Sequence, residues 1–303
     1  RRVWIKNEGQ NPTGSFKDRG ASVALARARE LGVEELAIPS SGNAGAATAA
    51  YGAALGIRVH VFVPVGTSPV TIEQILSFGA DLRWVDGSFA ECGAAAAAEA
   101  ERNGWFFYAT LREPYRVEGK KTMAYEVVEQ LGFRVPDAIL YPTGGTTGFI
   151  ALWKAFAEME HLGWIGAERP RMISVQAEGC APVVRAWEQG AETIEPWGEV
   201  RTYASGLSAP HVFADYLTLK VLRESQGAAV AVPDATMAEW VRVVGRETGL
   251  FVSPEGGAVA AATRMLRDRG VLSENDEVVL FATATGLKYV GREPRSLTEG
   301  SSP

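Results

Sequence analysis

The chain reads as an α/β protein with two open, mostly parallel sheets and helices on both faces. Short, nearly all-apolar runs alternate with helix-forming segments, and a glycine closes most of those segments, the pattern of parallel strands buried on both sides. Length agrees: 303 residues correspond to about two domains at roughly 150 residues each.

At the start, Val3-Trp4-Ile5 reads as a strand already under way at Arg1, so an N-terminal stretch is expected ahead of it. Buried strands are then predicted at residues 36–39, 59–63, 82–85, 139–141, 172–176 and 278–282. Helices are predicted at 21–31, 44–55, 71–78, 94–102, 122–131 and 149–159, with Gly32, Gly56, Gly79, Gly104 and Gly132 as stops. The alanine tract 94–98 is plain helix, and the tail 293–303 is expected to fray.

Composition narrows the function. Lys plus Arg number 30 against 36 Asp plus Glu, a net charge of −6, so no basic excess suits a nucleic-acid partner. No run of about 18 apolar residues offers a membrane span. Cys92 and Cys180 give neither a disulfide framework nor a zinc spacing, and His60, His161 and His211 are scattered; a reducing, cytoplasmic setting without a metal is expected.

Open parallel sheets bind ligands at the carboxyl ends of their strands, which directs attention to three loops rich in Gly, Ser, Thr and Asn. The first is Pro142-Thr143-Gly144-Gly145-Thr146-Thr147-Gly148, between a strand and a helix. Gly144, Gly145 and Gly148 let backbone amides approach an anion, Thr146 and Thr147 add hydroxyls, and the helix supplies its positive end, so a phosphate cradle is predicted. No Lys follows the glycines and the spacing is not that of a dinucleotide fingerprint.

The second loop is Asn11-Pro12-Thr13-Gly14-Ser15-Phe16-Lys17-Asp18-Arg19-Gly20. Lys17 stands where a helix starts, and the dipole there favours the neutral amine, the form that attacks an aldehyde. The third is Ser40-Ser41-Gly42-Asn43-Ala44-Gly45, whose side chains suit either a helix cap or a carboxylate site, with the Asn43 amide left for a phenolic oxygen. Spacing does not decide between the two.

These residues resemble the fold-type II pyridoxal phosphate enzymes, and among them the threonine synthases, over nearly the whole chain; residues 11–20 are similar to the lysine motif of that family almost letter for letter. The resemblance implies pyridoxal 5′-phosphate as cofactor, joined to Lys17, with Asn43 at the ring 3-hydroxyl and Gly144, Gly145, Thr146, Thr147 and Gly148 at its phosphate. Phe281-Ala282-Thr283-Ala284-Thr285-Gly286-Leu287-Lys288 is similar to the family segment whose Thr meets the pyridine nitrogen, a place that falls to Thr283. A hydroxyl there makes a moderate electron sink, suited to elimination and replacement. The segment 251–257 is similar to a loop bordering the site, with no role assigned.

Two positions depart from the family. Where threonine synthases carry Asn-Ser-x-Asn-Pro-x-Arg, this chain has Thr110-Leu111-Arg112-Glu113-Pro114-Tyr115-Arg116: the Arg survives as Arg116, but the Asn-Ser pair has become Thr-Leu. The residue after Asn43 is Ala44 rather than Thr. Arg112, Lys120 and Lys121 are candidates for compensating charge or are solvated helix-entry residues.

The resemblance implies a small domain at 27–115, inserted into a larger one formed by 1–26 and 116–303, with the cofactor between them and closure on substrate binding. It implies a lyase acting on O-phospho-L-homoserine, with Ser40, Ser41 and Asn43 on the substrate carboxylate and Arg116 on the leaving phosphate. A serine/threonine dehydratase is the alternative, and a non-catalytic amino-acid or cofactor binder a third. A homodimer is the family expectation.

Overall fold

The computed structural model describes residues 2–40 and 42–292; the tail expected to fray lies outside them. Two compact units emerge, one of residues 10–120 and the other of 2–9 with 121–292. The smaller unit thus runs wider than the 27–115 span expected for the small domain.

The smaller unit is built on four parallel strands in the order β4-β3-β2-β5: β2 (Glu35–Pro39), β3 (Arg58–Pro64), β4 (Asp81–Val85) and β5 (Phe106–Phe107). Its helices are α1 (Lys17–Glu30), α2 (Asn43–Leu55), α3 (Pro69–Ser77), α4 (Phe89–Asn103) and the first turns of α5 (Tyr115–Gln130). Alternate strand residues point to opposite faces. Leu36, Ile38, Val59, Val61 and Val63 pack with Leu25 of α1, Ala46 and Ala49 of α2 and Ile75 of α3. Ala37 and Phe62 pack instead with Ala96 and Ala100 of α4. Strand β3 is therefore apolar almost throughout. In α4, Ser88 and Glu91 form a reciprocal cap, the Glu91 carboxylate on the Ser88 amide at 2.6 Å and the Ser88 hydroxyl on the Glu91 amide at 3.3 Å. Gly56 and Gly104 end α2 and α4 in the left-handed region, as their positions predict.

The larger unit holds five parallel strands in the order β1-β9-β6-β7-β8: β1 (Val3–Asn7), β6 (Ala138–Pro142), β7 (Arg171–Ala177), β8 (Ala228–Val232) and β9 (Val278–Ala282). Every residue of β6 and β9 is buried, which requires cover on both faces. Leu140, Val175 and Leu280 pack with Ala258, Ala262 and Leu266 of α10 (Pro254–Asp268), while Tyr141 and Phe281, on the opposite face, bring their rings to 5.3 Å. Helices α6 (Thr147–His161), α7 (Pro182–Glu188), α8 (Asp215–Glu224) and α9 (Asp234–Thr248) complete the unit.

Candidate active site

In the smaller unit the loop 11–16 is a preformed bracket for the start of α1. The Gly14 amide turns back on the Asn11 carbonyl at 2.7 Å, and Asp18 takes the Thr13 amide at 2.8 Å and the Thr13 hydroxyl at 2.7 Å. These bonds bury Thr13 and Asp18 and leave Lys17 as the first residue of the helix, its amine 4.7 Å from the centre of the Phe16 ring. Burial, then the charge of Arg116, lowers the Lys17 pKa to about 8. A neutral amine is thus reached close to physiological pH, as the sequence suggests, through desolvation and a neighbouring cation rather than through the helix dipole alone.

Arg116 lies in the first turn of α5. Its Nε donates to Glu113 Oε1 at 2.6 Å, and its guanidinium lies 4.1 Å above the Tyr108 ring. Arg116 Nη2 and the Tyr108 hydroxyl are buried with no partner among the described residues. Of the three candidate compensating charges, Arg112 is exposed and Lys121 pairs with Glu158 at 2.7 Å, leaving Lys120, 2% exposed, beside Arg116.

The serine-asparagine loop lies at the carboxyl end of β2. The Ser40 hydroxyl accepts from the Gly45 amide at 2.8 Å and from the Gly42 amide at 3.4 Å, holding the first turn of α2 while keeping its own proton to donate. Asn43 opens α2, and its amide has no partner among the described residues. Ser41 lies outside the described residues.

In the larger unit the glycine-threonine turn follows β6, and Thr283 follows β9. These strands are neighbours with Leu140 opposite Leu280, so the turn and Thr283 leave the same end of the sheet side by side. Two glycines of the turn have no room for a side chain: a Cβ on Gly144 would run into the Gly206 carbonyl, and one on Gly148 into the Tyr141 hydroxyl. Thr146 sits in the left-handed region at φ 56° as α6 begins. Its hydroxyl is buried without a partner among the described residues. An unpaired buried hydroxyl is costly, and one held at a helix N-terminus with α6 amides beside it suits a phosphate.

A support for this turn went unassigned in the sequence. Segment 251–254 runs beside 284–286, with Val252 bridged to Thr285 and the Ser253 amide donating to the Ala284 carbonyl at 3.1 Å. From it, Glu255 takes the Gly206 amide at 2.8 Å and the Tyr289 hydroxyl at 2.6 Å. Since Gly206 is the residue packed on Gly144, Glu255 and Tyr289 fix the wall of the turn. Burial, then the Glu255 carboxylate, pushes the Tyr289 phenol well above its ordinary value, so it stays a donor. The Ser253 hydroxyl, near Thr283 in this pairing, is also buried with no partner among the described residues. The resemblance placed segment 251–257 at the border of the site but gave it no role.

Each unit therefore fits one part of an aldehyde-bearing phosphate ligand: the smaller offers a depressed amine at Lys17 to an aldehyde, and the larger offers a phosphate a turn at 144–148 with two side-chain-free approaches and an orphaned hydroxyl, beside a second hydroxyl at Thr283 on the adjoining strand.

Comparison with known proteins agrees. Residues 1–284 match the family Pyridoxal-phosphate dependent enzyme. The threonine synthase of Methanocaldococcus jannaschii is 34% identical over 287 residues, 94% of this chain and 70% of that protein. That of Methanosarcina acetivorans is 36% identical over 289 residues, 95% of this chain and 71% of that protein. Among solved structures, threonine deaminase isoform 2 from Solanum lycopersicum superposes with a TM-score of 0.82 at 20% identity, covering 99% of this chain and 83% of its own. Maize serine racemase gives 0.81 at 22% identity, covering 98% of this chain and 87% of its own. These share the fold. The chain belongs to the pyridoxal-phosphate dependent enzymes, and among them it is a threonine synthase-like lyase.

Proposed function

We propose that this enzyme converts O-phospho-L-homoserine and water to L-threonine and inorganic phosphate. The observation that carries the proposal is Arg116, a guanidinium whose charge reaches Lys17 and whose buried Nη2 has no partner among the described residues, in a chain similar to threonine synthases over more than nine-tenths of its length.

Pyridoxal 5′-phosphate, when bound, supplies an aldehyde for the amino-acid nitrogen and a ring that withdraws electrons from Cα. Lys17 would hold the aldehyde, Asn43 the ring 3-hydroxyl, Thr283 the ring nitrogen, and Gly144, Gly145, Thr146, Thr147 and Gly148 the phosphate. The Lys17 amine would take the Cα proton, then move protons at Cβ, and at the end return a proton to Cα. Arg116 steadies the phosphate as it leaves Cγ, which then gains a proton to become the methyl group of the product. Water adds at Cβ. Ser40, Ser41 and Asn43, at the amino end of α2, hold the substrate carboxylate. An amine titrating near 8 exchanges protons in either direction near neutrality.

Steady-state assay with O-phospho-L-homoserine should release phosphate and threonine in equal amounts, and Arg116→Gln should raise KM about tenfold or more. Absence of both products with normal cofactor absorbance overturns the proposal. A serine/threonine dehydratase is favoured by Thr110 and Leu111, both exposed, where the family pattern supplies Asn-Ser; pyruvate from serine or 2-oxobutanoate from threonine would establish it. The enzyme is also proposed to be a cytoplasmic homodimer, in keeping with two buried free cysteines and the absence of any helix long and apolar enough to cross a membrane among the described residues; sedimentation and cell fractionation test this.

A further inference from the structure

Lys120 is a buried amine that the chemistry above leaves unused. It stands where α1 and α5 cross. A Cβ on Gly20 would lie 2.8 Å from the Arg116 carbonyl oxygen and 2.9 Å from Lys120 Nζ, and a Cβ on Gly119 would run into the carbonyl of Arg19. Free of side chains at these points, the helices meet backbone to backbone. Arg116 and Lys120, one turn apart on one face of α5, are thereby set against the turn of α1 that bears Lys17.

The Lys120 amine donates to one acceptor among the described residues, the Arg116 carbonyl at 3.0 Å, and keeps further donors for an anion. The charged groups facing it are Lys17 from α1 and Arg116 and Glu113 from α5 and the loop before it. Glu113 is already committed to the Nε and the amide of Arg116, and Asp18 accepts from Thr13. Arg116 and Lys120 thus share one carboxylate, with Lys17 a third basic group only while its amine is free, around a guanidinium nitrogen and a Tyr108 hydroxyl that have no partner among the described residues. Burial, reinforced by Lys17 and Arg116 and opposed by Glu113, holds the Lys120 amine well below its ordinary pKa. Such an amine regains a proton when an anion offsets the surrounding positive charge.

We propose that Lys120 is a specificity-determining residue: with Arg116 it receives the tetrahedral dianion of the substrate, drawing one proton from solvent as the dianion arrives. This rests on the assignment of Arg116 under Proposed function and adds a residue with its own signature. A substrate ending in a plain hydroxyl brings no charge to recruit that proton, so Lys120 selects phosphorylated amino acids over hydroxy amino acids.

The test uses the cofactor-loaded enzyme and sulfate, a tetrahedral dianion with no titrating proton near neutrality. Calorimetry at pH 7.5 in two buffers of different ionisation heat reads proton uptake. The wild type should take up protons as sulfate binds. Lys120→Met should take up about none and bind sulfate about thirtyfold more weakly. Lys120→Arg, permanently charged, should keep the affinity and lose the proton uptake, and it preserves the test if the Met variant does not fold. Undetectable sulfate binding by the wild type, binding without proton uptake, or unchanged affinity in Lys120→Met overturns the inference. Arg116→Gln separates the two levels: weakened binding there with Lys120→Met unaffected removes Lys120 and leaves Arg116 in place, whereas indifference to both substitutions removes both assignments.

Discussion

A depressed lysine pKa is also a statement about stability. In the folded apoenzyme the Lys17 amine titrates at about 8, against 10.5 for an ordinary lysine. At about 1.4 kcal/mol per pH unit, holding that proton in the folded chain costs up to about 3 kcal/mol. Between about pH 8 and 10.5 the folded chain has shed the proton and the unfolded chain still holds it, so stability rises with pH across this window and the full cost is present below it. Lys17→Met keeps the volume and removes the charge. At pH 7 the apo variant should exceed the apo wild type by about 1–3 kcal/mol, the lower figure allowing for solvent at the partly buried side chain. By about pH 10 the difference should have fallen to roughly a quarter of its pH 7 value. Urea denaturation of both apoproteins at pH 7, 8.5 and 9.5 measures it. A variant no more stable than wild type at pH 7, or a gap that ignores pH, would show that the amine is not held at a cost.

Gly144→Ala should drive a methyl group into the Gly206 carbonyl, lowering stability by about 1–3 kcal/mol and weakening cofactor binding, read by Tm and by fluorescence titration of the apoenzyme. Tyr289→Phe removes a donor from buried Glu255, with an expected loss of about 1–3 kcal/mol and a weaker hold on the cofactor, checked by the same two measurements. Ser88→Ala breaks the cap of α4 and should cost about 1 kcal/mol with kcat/KM unchanged, a control that separates stability from the site.

The strands easiest to read were the most deeply buried. β6 and β9 are buried at every residue, so both faces demanded apolar side chains and the runs were continuous. β5 has only Phe106 and Phe107, too few for any period to appear, and β8, an edge strand of Ala and Val with three half-buried residues, lacks bulk. Helix ends were harder. α5 begins at Tyr115, seven residues ahead of the expected start, because Gly119 and the charges around it look like a loop; Gly119 is helical because the Arg19 carbonyl leaves no room for a side chain. α10 was hidden likewise by Gly256 and Gly257, which sit inside it against Val252 and the Met237 carbonyl. Lys17 and the glycine-threonine turn drew attention as candidates because their chemistry is local to a few adjoining residues, and Arg116 did so through the family pattern. Glu255 and Tyr289 were not, since each acts on Gly206, a residue that only the fold brings near; Lys120 was one of three candidate charges, and its burial against α1 is what singles it out.

The central claim is that Lys17 carries the cofactor, and borohydride reduction of the enzyme as purified, followed by digestion and mass spectrometry, tests it most directly. One phosphopyridoxyl group per chain on the peptide containing Lys17, absent from Lys17→Met, is the expected result. A label on another lysine, or none on protein that shows full cofactor absorbance, would contradict it.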